Sequence, residues 1–411
     1  MSELTPTVAI IGSGPAGCYC AQFLKKSLPS AEVIVFEALP VPYGLLRYGI
    51  AADHQGSKNI SAQFERMFTR GGVCFIGNTE IGKDISLDEL KAAFDVVVVA
   101  TGLSADRKLG ITGDDLISVV GAGQLLRTLN GYPDSDHALG YLRPLGQRVV
   151  VVGNGNVAMD VVRLIAKSEE ELSGSDINDE ARQALCTSGV RRIDVIGRSS
   201  VEQAKFDLAM LREICHLKHA IVRCPVKAAT FTGPAADLLL SNEATTNRAR
   251  DVMEINFHFS TTPVLISSDN QTTVLTLKQD GEENLHDICC DTLITAVGFC
   301  HGSGHSLTAT GSYSVGWVRR GPKGTVAENR RDAAEVADEI LGDLRSGRLI
   351  TGKTGLKAVE HKIAHKAVSF TQWKILDRHE IHHAAPGRCR KKTTSLTEML
   401  SVMAPPVLLP E

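Results

Sequence analysis

The stretch Thr7–Gly17 constrains the fold of this chain more than any other part of the sequence. It begins with an apolar run, Val8–Ile11, which is typical of a parallel strand buried on both faces. A turn containing Gly12, Gly14 and Gly17 follows. In such a unit the first glycine permits the turn, the second lets backbone N–H groups approach a pyrophosphate, and the third lets helix and strand pack closely. The pattern predicts a strand, a phosphate loop and a helix.

Glycines also occur in ordinary turns, so the sequence around the loop decides what it means. A second apolar strand, Val33–Phe36, ends in Glu37. This carboxylate lies about 20 residues past the glycines, where an acceptor for the ribose hydroxyls of a dinucleotide is expected. We interpret the loop as a dinucleotide site; a structural turn without a ligand is the alternative.

A second signature of the same kind lies inside the chain. The strand Arg148–Val152 runs into Gly153–Ala158, where Ala158 takes the place of the third glycine. The next strand, Ile193–Ile196, is soon followed by Arg198 rather than by a carboxylate. An arginine at this point suits a 2′-phosphate. Two loops with different following residues predict two dinucleotides, most simply FAD at the first and NADP(H) at the second.

Composition limits the remaining classes of protein. A length of 411 residues allows two or three domains, and 43% hydrophobic with 22% charged residues is ordinary for a globular protein. A net charge of −3 argues against a nucleic-acid binder. The sequence contains neither a leader pattern nor an apolar run long enough for a membrane span, so we expect a cytoplasmic protein.

Several segments together resemble the adrenodoxin-reductase type of ferredoxin–NADP reductases, which belong to the two-dinucleotide-binding flavoproteins that also include glutathione reductase. The resemblance extends over nearly the whole chain. It rests on the first loop, Pro40–His54, Gly153–Arg163, Gly197 and Arg198 with Gln203, Phe206 and Leu211–Glu213, Gly316–Val326, and Val368–Phe370 with Trp373, Leu376 and Asp377.

The loop motifs and this resemblance together imply two sets of cofactor-binding residues. Those expected to bind FAD are Gly12, Gly14, Pro15, Ala16, Gly17, Glu37, Leu45, Ile81, Trp317, Gly324, Thr325 and Val326. Those expected to bind NADP(H) are Gly153, Asn154, Gly155, Asn156, Val157, Arg198 and Ser199, with Gly324.

The chain departs from the family pattern at three places. The second of two adjacent arginines is here Ser199, which weakens the preference for NADP(H) and leaves NAD(H) open. A family glutamate falls on Met210, whereas Glu213 is retained; with His54 it is expected to form a His–Glu pair beside the flavin, for positioning or proton balance. The interval 298–311 is shorter than in the family, so the edge that covers the flavin is expected to be trimmed.

Two other patterns point elsewhere. His379-Glu380-Ile381-His382-His383 matches the zinc-protease motif H-E-x-x-H, but it lies in a polar tail, so we predict a solvated helix and no metal site. Cys18 and Cys20 cannot face each other at i, i+2 on a helix, and Cys289-Cys290 precede a buried strand. The absence of a plausible redox dithiol argues against a disulfide reductase.

We therefore predict an α/β fold with two doubly wound, Rossmann-like dinucleotide-binding domains. Residues 1–104 and 300–411 would form a discontinuous FAD domain that includes a C-terminal tail, and residues 105–299 an inserted NAD(P)H domain. By resemblance, the chain passes hydride from NAD(P)H to flavin, then single electrons to a 2Fe–2S ferredoxin that feeds an oxygenase or other redox enzyme. We expect a monomer. The alternatives are a flavin oxidoreductase with a small-molecule substrate and a non-catalytic FAD-binding protein.

An acidic ferredoxin requires a basic docking face even though the chain is slightly acidic. The candidates are Arg191, Arg192, Arg248, Arg250, Arg319, Arg320 and Lys323. The alternative is that these are scattered solvated charges.

Overall fold

The computed structural model describes residues 5–133, 143–224, 232–245, 252–269, 272–302 and 311–404. Its strands are β1 Thr7–Ile11, β2 Glu32–Phe36, β3 Val73–Gly77, β4 Val96–Val99, β5 Ala105–Asp106, β6 Val119–Gly121, β7 Arg148–Val152, β8 Arg192–Ile196, β9 Ala220–Arg223, β10 Met253–His258, β11 Thr261–Asp269, β12 Thr272–Gln279, β13 Leu285–Cys290, β14 Thr292–Thr295, β15 Phe299–Cys300, β16 Tyr313–Ser314 and β17 Val368–Ser369. Its helices are α1 Pro15–Ser27, α2 Leu45–Tyr48, α3 Gln55–Lys58, α4 Ser61–Arg70, α5 Leu87–Ala93, α6 Ala122–Leu129, α7 Asn156–Ala166, α8 Asp179–Leu185, α9 Leu208–Cys215, α10 Pro234–Thr245, α11 Trp317–Arg320, α12 Val326–Arg345, α13 Glu360–Ile363, α14 Phe370–His382 and α15 Leu396–Met403. Short 3-10 helices cover Thr187–Gly189, Val201–Gln203 and Gly355–Ala358.

The first sheet has six strands in the order β16-β4-β1-β2-β3-β17. Its neighbouring strands are parallel except for β3 and β17. In β1, Val8 and Ile10 belong to one hydrophobic core, whereas Ala9 and Ile11 belong to the core on the opposite face. The continuous apolar run follows from this, because successive side chains of a strand point to opposite faces.

The second sheet has six parallel strands in the order β6-β14-β7-β8-β10-β9. Helices α6, α7, α9 and α10 contribute to the core on one face. The opposite face is covered by the antiparallel sheet β11-β12-β13, whose Ile266 and Leu275 pack with Val150 and Val152 of β7. The predicted α/β fold with two parallel sheets is confirmed, and the antiparallel layer is an addition that the sequence analysis did not predict.

The chain passes between the two sheets at one place. Strand β5, on the way to the second sheet, pairs antiparallel with β15 on the way back, so that Asp106 lies opposite Phe299. The boundaries predicted at residues 104 and 300 lie beside this pair; the division into domains stays a prediction.

Helix α14 corrects the expectation of a solvated appendage. Trp373 and Leu376 are buried in the first core, and Glu380 is 0% exposed. The helix therefore packs as part of the fold. Its polar sequence did not predict this burial, because the buried polar side chains have partners that are distant in sequence.

Among the described residues, no helix has the length and apolar character that a membrane crossing requires.

Candidate active site

The first phosphate loop connects β1 to α1. Gly12 has φ +105°, and a Cβ there would lie 2.6 Å from the carbonyl oxygen of Ala100. A Cβ on Gly17 would lie 2.1 Å from the carbonyl oxygen of Gly12. At Gly14, the N-cap of α1, no described atom lies within 4 Å of the Cβ position. Two glycines are thus required by packing, and the third borders open space where an anion can approach the helix N-terminus.

Glu37 lies directly after β2 and is tied to this loop. Its Oε2 accepts hydrogen bonds from the backbone N–H of Ser13 at 3.0 Å and from the Ser13 hydroxyl at 2.6 Å. Oε1 accepts a longer one, 3.3 Å, from the N–H of Leu39. The carboxylate is therefore oriented by the chain itself and keeps acceptor capacity on Oε1.

Trp317 begins helix α11 beside the same loop. A Cβ on the preceding Gly316 would lie 2.6 Å from the Cβ of Ala16, so the turn passes close to α1. The Trp317 ring stacks on Phe299 with centroids 5.3 Å apart. Its Nε1 is buried and finds no hydrogen-bond partner among the described residues. A buried donor without a partner costs free energy, which indicates that a group absent from the chain completes this site.

Two other residues expected to bind FAD, Leu45 and Ile81, have different surroundings. Leu45 begins α2 next to Gly44, whose Cβ position is 3.3 Å from the Cα of Gly14. Ile81 is buried in the core beneath the sheet. Helix α12 begins at Val326, another residue expected to bind FAD, because Thr325 and Glu328 form a capping box.

The second phosphate loop repeats the first between β7 and α7. Gly153 has φ +135°, and its Cβ would lie 2.4 Å from the carbonyl oxygen of Ala296. At Gly155, the N-cap of α7, no described atom lies within 4 Å of the Cβ position. The Nδ2 of Asn154 is buried and unpartnered within the described chain.

The residues after β8 lie at the same edge of the second sheet. Arg198 is exposed, and Ser199 uses its carbonyl oxygen to accept a hydrogen bond from the N–H of Ser260 at 3.0 Å. Asn156 and Val157 form the start of α7. All these residues meet at the carboxyl ends of parallel strands, where α/β sheets bind ligands.

His54 and Glu213 are brought together from different parts of the chain. Nε2 of His54 lies 3.4 Å from Oε2 of Glu213, and Nδ1 lies 3.8 Å from Oδ1 of Asp160. The hydrogen bond with His54, together with Lys167 and Arg163, lowers the pKa of Glu213 to about 2, against the effect of burial.

Three further residues belong to this cluster and were not predicted. Arg163, with a 0% exposed side chain, binds Asp53 through Nε at 2.7 Å and Nη2 at 2.9 Å. Lys167 bridges Asp53 at 2.8 Å and Glu213 at 2.6 Å. Burial alone would raise the pKa of Asp53, but these two cations lower it.

Asp53, His54 and Glu213 are close enough to one another to hold a metal ion. However, the cations already bonded to both carboxylates make the binding of a metal cation unfavourable.

Glu380 has a structural partner that rules out the zinc-protease interpretation. Its carboxylate accepts two hydrogen bonds from Arg47 Nη2, at 2.6 and 2.7 Å, and one from the N–H of Thr393 at 3.1 Å. The ring centres of His379, on α14, and His383, the residue that follows this helix, lie 4.0 Å apart, whereas Glu380 is 0% exposed. A carboxylate so occupied cannot act as a general base.

Several proposed docking cations are already paired. Arg192 binds Asp194 at 2.6 Å and Arg319 binds Asp332 at 2.7 Å. Arg191 is exposed. Arg248 and Arg250 lie outside the described residues. The basic docking face stays a prediction.

The family described as pyridine nucleotide-disulphide oxidoreductase matches residues 6–192. Cindoxin reductase of Citrobacter braakii is 40% identical over 97% of this chain and 92% of its own length. The mitochondrial NADPH:adrenodoxin oxidoreductase of Salvelinus fontinalis is 31% identical over 97% of this chain and 91% of its own.

A solved structure agrees with the sequence relatives. FprA from Mycobacterium tuberculosis, in complex with NADPH, superposes with a TM-score of 0.85 and 27% identity, covering 97% of this chain and 100% of that one. The chain belongs to the adrenodoxin-reductase type of ferredoxin–NADP reductases, as its motifs predicted.

Proposed function

We propose that this chain is an FAD-dependent NADPH–ferredoxin reductase whose electrons reach an oxygenase or another redox enzyme through an iron–sulfur ferredoxin. The observation that carries the proposal is a pair of phosphate loops at the ligand-binding edges of two sheets, one beside Glu37 and one beside Arg198. The names of the relatives support it. We further propose that the enzyme is a cytoplasmic monomer, that its ferredoxin is of the 2Fe–2S type, and that residues 105–299 form the nucleotide domain.

FAD fits the first site on two observations: the open space beyond Gly14 and the buried, unpartnered Nε1 of Trp317. When bound, FAD accepts a hydride from NADPH and releases the two electrons one at a time. Glu37 would accept hydrogen bonds from the adenosine ribose, and the N-terminus of α1 would stabilise the pyrophosphate. Trp317 would cover the isoalloxazine edge and donate its N–H.

The pyridine nucleotide fits the second site in the same way. The start of α7 at Asn156 and Val157 would bind the pyrophosphate, and the buried amide of Asn154 would gain its missing partner. Arg198 would bind the 2′-phosphate through charge-assisted hydrogen bonds. Its single guanidinium, followed by Ser199, supports a preference for NADPH that is moderate rather than absolute.

The His54 cluster would orient the nicotinamide and hold protons near it. Lys167 and Arg163 lower the pKa values of Glu213 and Asp53, so both carboxylates stay ionised and can accept hydrogen bonds. Asp53 and His54 lie before α3, whereas Arg163 lies on α7 and Lys167 directly follows that helix, so the cluster also joins the two parts of the enzyme.

Stopped-flow reduction tests the proposal. NADPH should bleach the flavin absorbance of the purified yellow protein, and a 2Fe–2S ferredoxin should then be reduced. Rising salt should slow ferredoxin reduction steeply, because docking of oppositely charged proteins is screened, and affect ferricyanide much less. A flavin that NADPH does not bleach would support a non-catalytic protein. Equal salt profiles for both acceptors would favour a flavoenzyme with a small-molecule substrate.

A further inference from the structure

Lys205 is held against the second phosphate loop. It follows the 3-10 helix Val201–Gln203, and its backbone forms an isolated parallel bridge with Gly155. Bridged backbones lie about 5 Å apart. Gly155 is the N-cap of α7 and borders the open space described above. The Lys205 backbone therefore runs directly beside the point where a pyrophosphate would approach the helix.

A second contact fixes the position of this segment. The backbone N–H of Asp207 donates to Oδ1 of Asn156 at 2.7 Å, so the stretch around Lys205 is tied to the first turn of α7 at two points. Asp207 in turn caps α9 by accepting from the N–H of Ala209 at 2.9 Å. These two contacts hold the backbone of Lys205 beside the loop.

The charge of Lys205 is available to a ligand. The residue is exposed, and no carboxylate of the described chain forms an ion pair with it. The nearest acids along the chain have other partners: Glu202 accepts from the N–H of Thr232 at 2.9 Å, and Asp207 caps α9. An ammonium on a flexible four-carbon stem can reach an anion bound at the adjacent helix N-terminus.

We propose that Lys205 is a binding residue for the pyrophosphate of the pyridine nucleotide, separate in role from Arg198, which reads the 2′-phosphate. This inference rests on the proposed function, because it assumes that the second loop binds NADP(H). The N-terminus of α7 supplies a partial positive charge, and Lys205 adds a full one beside it. Since NADP and NAD share the pyrophosphate, Lys205 strengthens binding of both, whereas Arg198 distinguishes them.

Equilibrium binding of oxidised nucleotides to the FAD-loaded protein tests this, using the perturbation of the flavin spectrum or calorimetry. Lys205→Met should weaken NADP+ and NAD+ by the same factor, about five- to tenfold, since a charge-assisted contact at an exposed site is partly screened. Binding of 2′-AMP, which has no pyrophosphate, should not change. Lys205→Arg should restore most of the affinity. Lys278→Met, an exposed lysine of β12, is the matched control and should change nothing.

Three results would overturn the inference. One is a change below twofold for both dinucleotides in Lys205→Met. Another is a loss confined to NADP+ and 2′-AMP, which would assign Lys205 to the 2′-phosphate. The third is equal weakening in Lys278→Met. Unchanged flavin content and melting temperature establish that the variants are folded. Failure of the unaltered protein to bind either dinucleotide would instead refute the proposed function.

Discussion

Replacing Arg47 by methionine should lower the free energy of unfolding by about 3 kcal/mol, because it leaves the carboxylate of Glu380 buried without its main partner. The side chains of Arg47 and Glu380 are 5% and 0% exposed, so water cannot replace the lost hydrogen bonds. Breaking such a pair costs about 3–5 kcal/mol. Arg390, whose Nη1 lies 3.2 Å from Glu380, remains as a second cation beside the carboxylate. We therefore expect a loss of stability at the lower end of this range.

The same substitution removes two cation–π contacts. The guanidinium lies 4.8 Å from the ring centre of Trp373 and 5.1 Å from that of Tyr48. A desolvated contact of this kind contributes about 2 kcal/mol, but methionine restores part of the packing through its own contacts with the rings. The double variant Arg47→Met, Glu380→Met removes both charges and should be less destabilised than the sum of the single variants, by about 2 kcal/mol.

Urea denaturation followed by tryptophan fluorescence measures these free energies, since Trp373 is one of only two tryptophans and packs beside Arg47. Arg348→Met is the control, because Arg348 pairs with Asp343 while its side chain is 72% exposed. That pair should contribute less than about 1 kcal/mol. If Arg47→Met is no more destabilising than the control, the buried pair does not stabilise the fold as argued.

Three further predictions concern the site. Gly14→Val should abolish FAD retention but leave the apoprotein folded, since the added side chain would enter space that is empty of described atoms; full flavin content would contradict this. Arg198→Ala should raise the KM for NADPH about fivefold and leave that for NADH unchanged, because an exposed charge-assisted contact to the 2′-phosphate is lost; equal changes would show that Arg198 does not read this phosphate. Glu213, whose pKa falls from its ordinary 4.5 to about 2, stabilises the fold above pH 4.5 and loses that contribution as the pH falls towards 2. In Glu213→Gln the free energy of unfolding should therefore fall less steeply between pH 4.5 and about 2 than in the unaltered protein. An unchanged pH dependence would refute the ion-pair argument.

The parts of the fold that sequence analysis predicted are those governed by local chemistry. The strand, turn and helix at Gly12–Gly17 and Gly153–Ala158 follow from glycine spacing and continuous apolar runs. The start of α12 was also within reach, because Thr325 and Glu328 have the spacing of a capping box.

The parts that escaped prediction depend on contacts between residues distant in sequence. Glu380 was placed in solvent because nothing near it in the chain reveals Arg47, which is 333 positions away. The sequence did not predict a role for Lys167 either, because that role depends on contacts with Asp53, which is 114 positions away, and with Glu213. A charged residue is ordinarily exposed, and only the assembled fold identifies the exceptions.

The antiparallel pair β5 and β15 has a consequence for protein engineering. Since Asp106 and Phe299 lie opposite each other, the intervening block enters and leaves the rest of the enzyme at one point. Such a block can be exchanged for the corresponding block of a relative without changing the distance between the ends it must join. If residues 105–299 form the nucleotide domain as proposed, transplanting this block would carry a new coenzyme preference into an unchanged flavin and ferredoxin partner system.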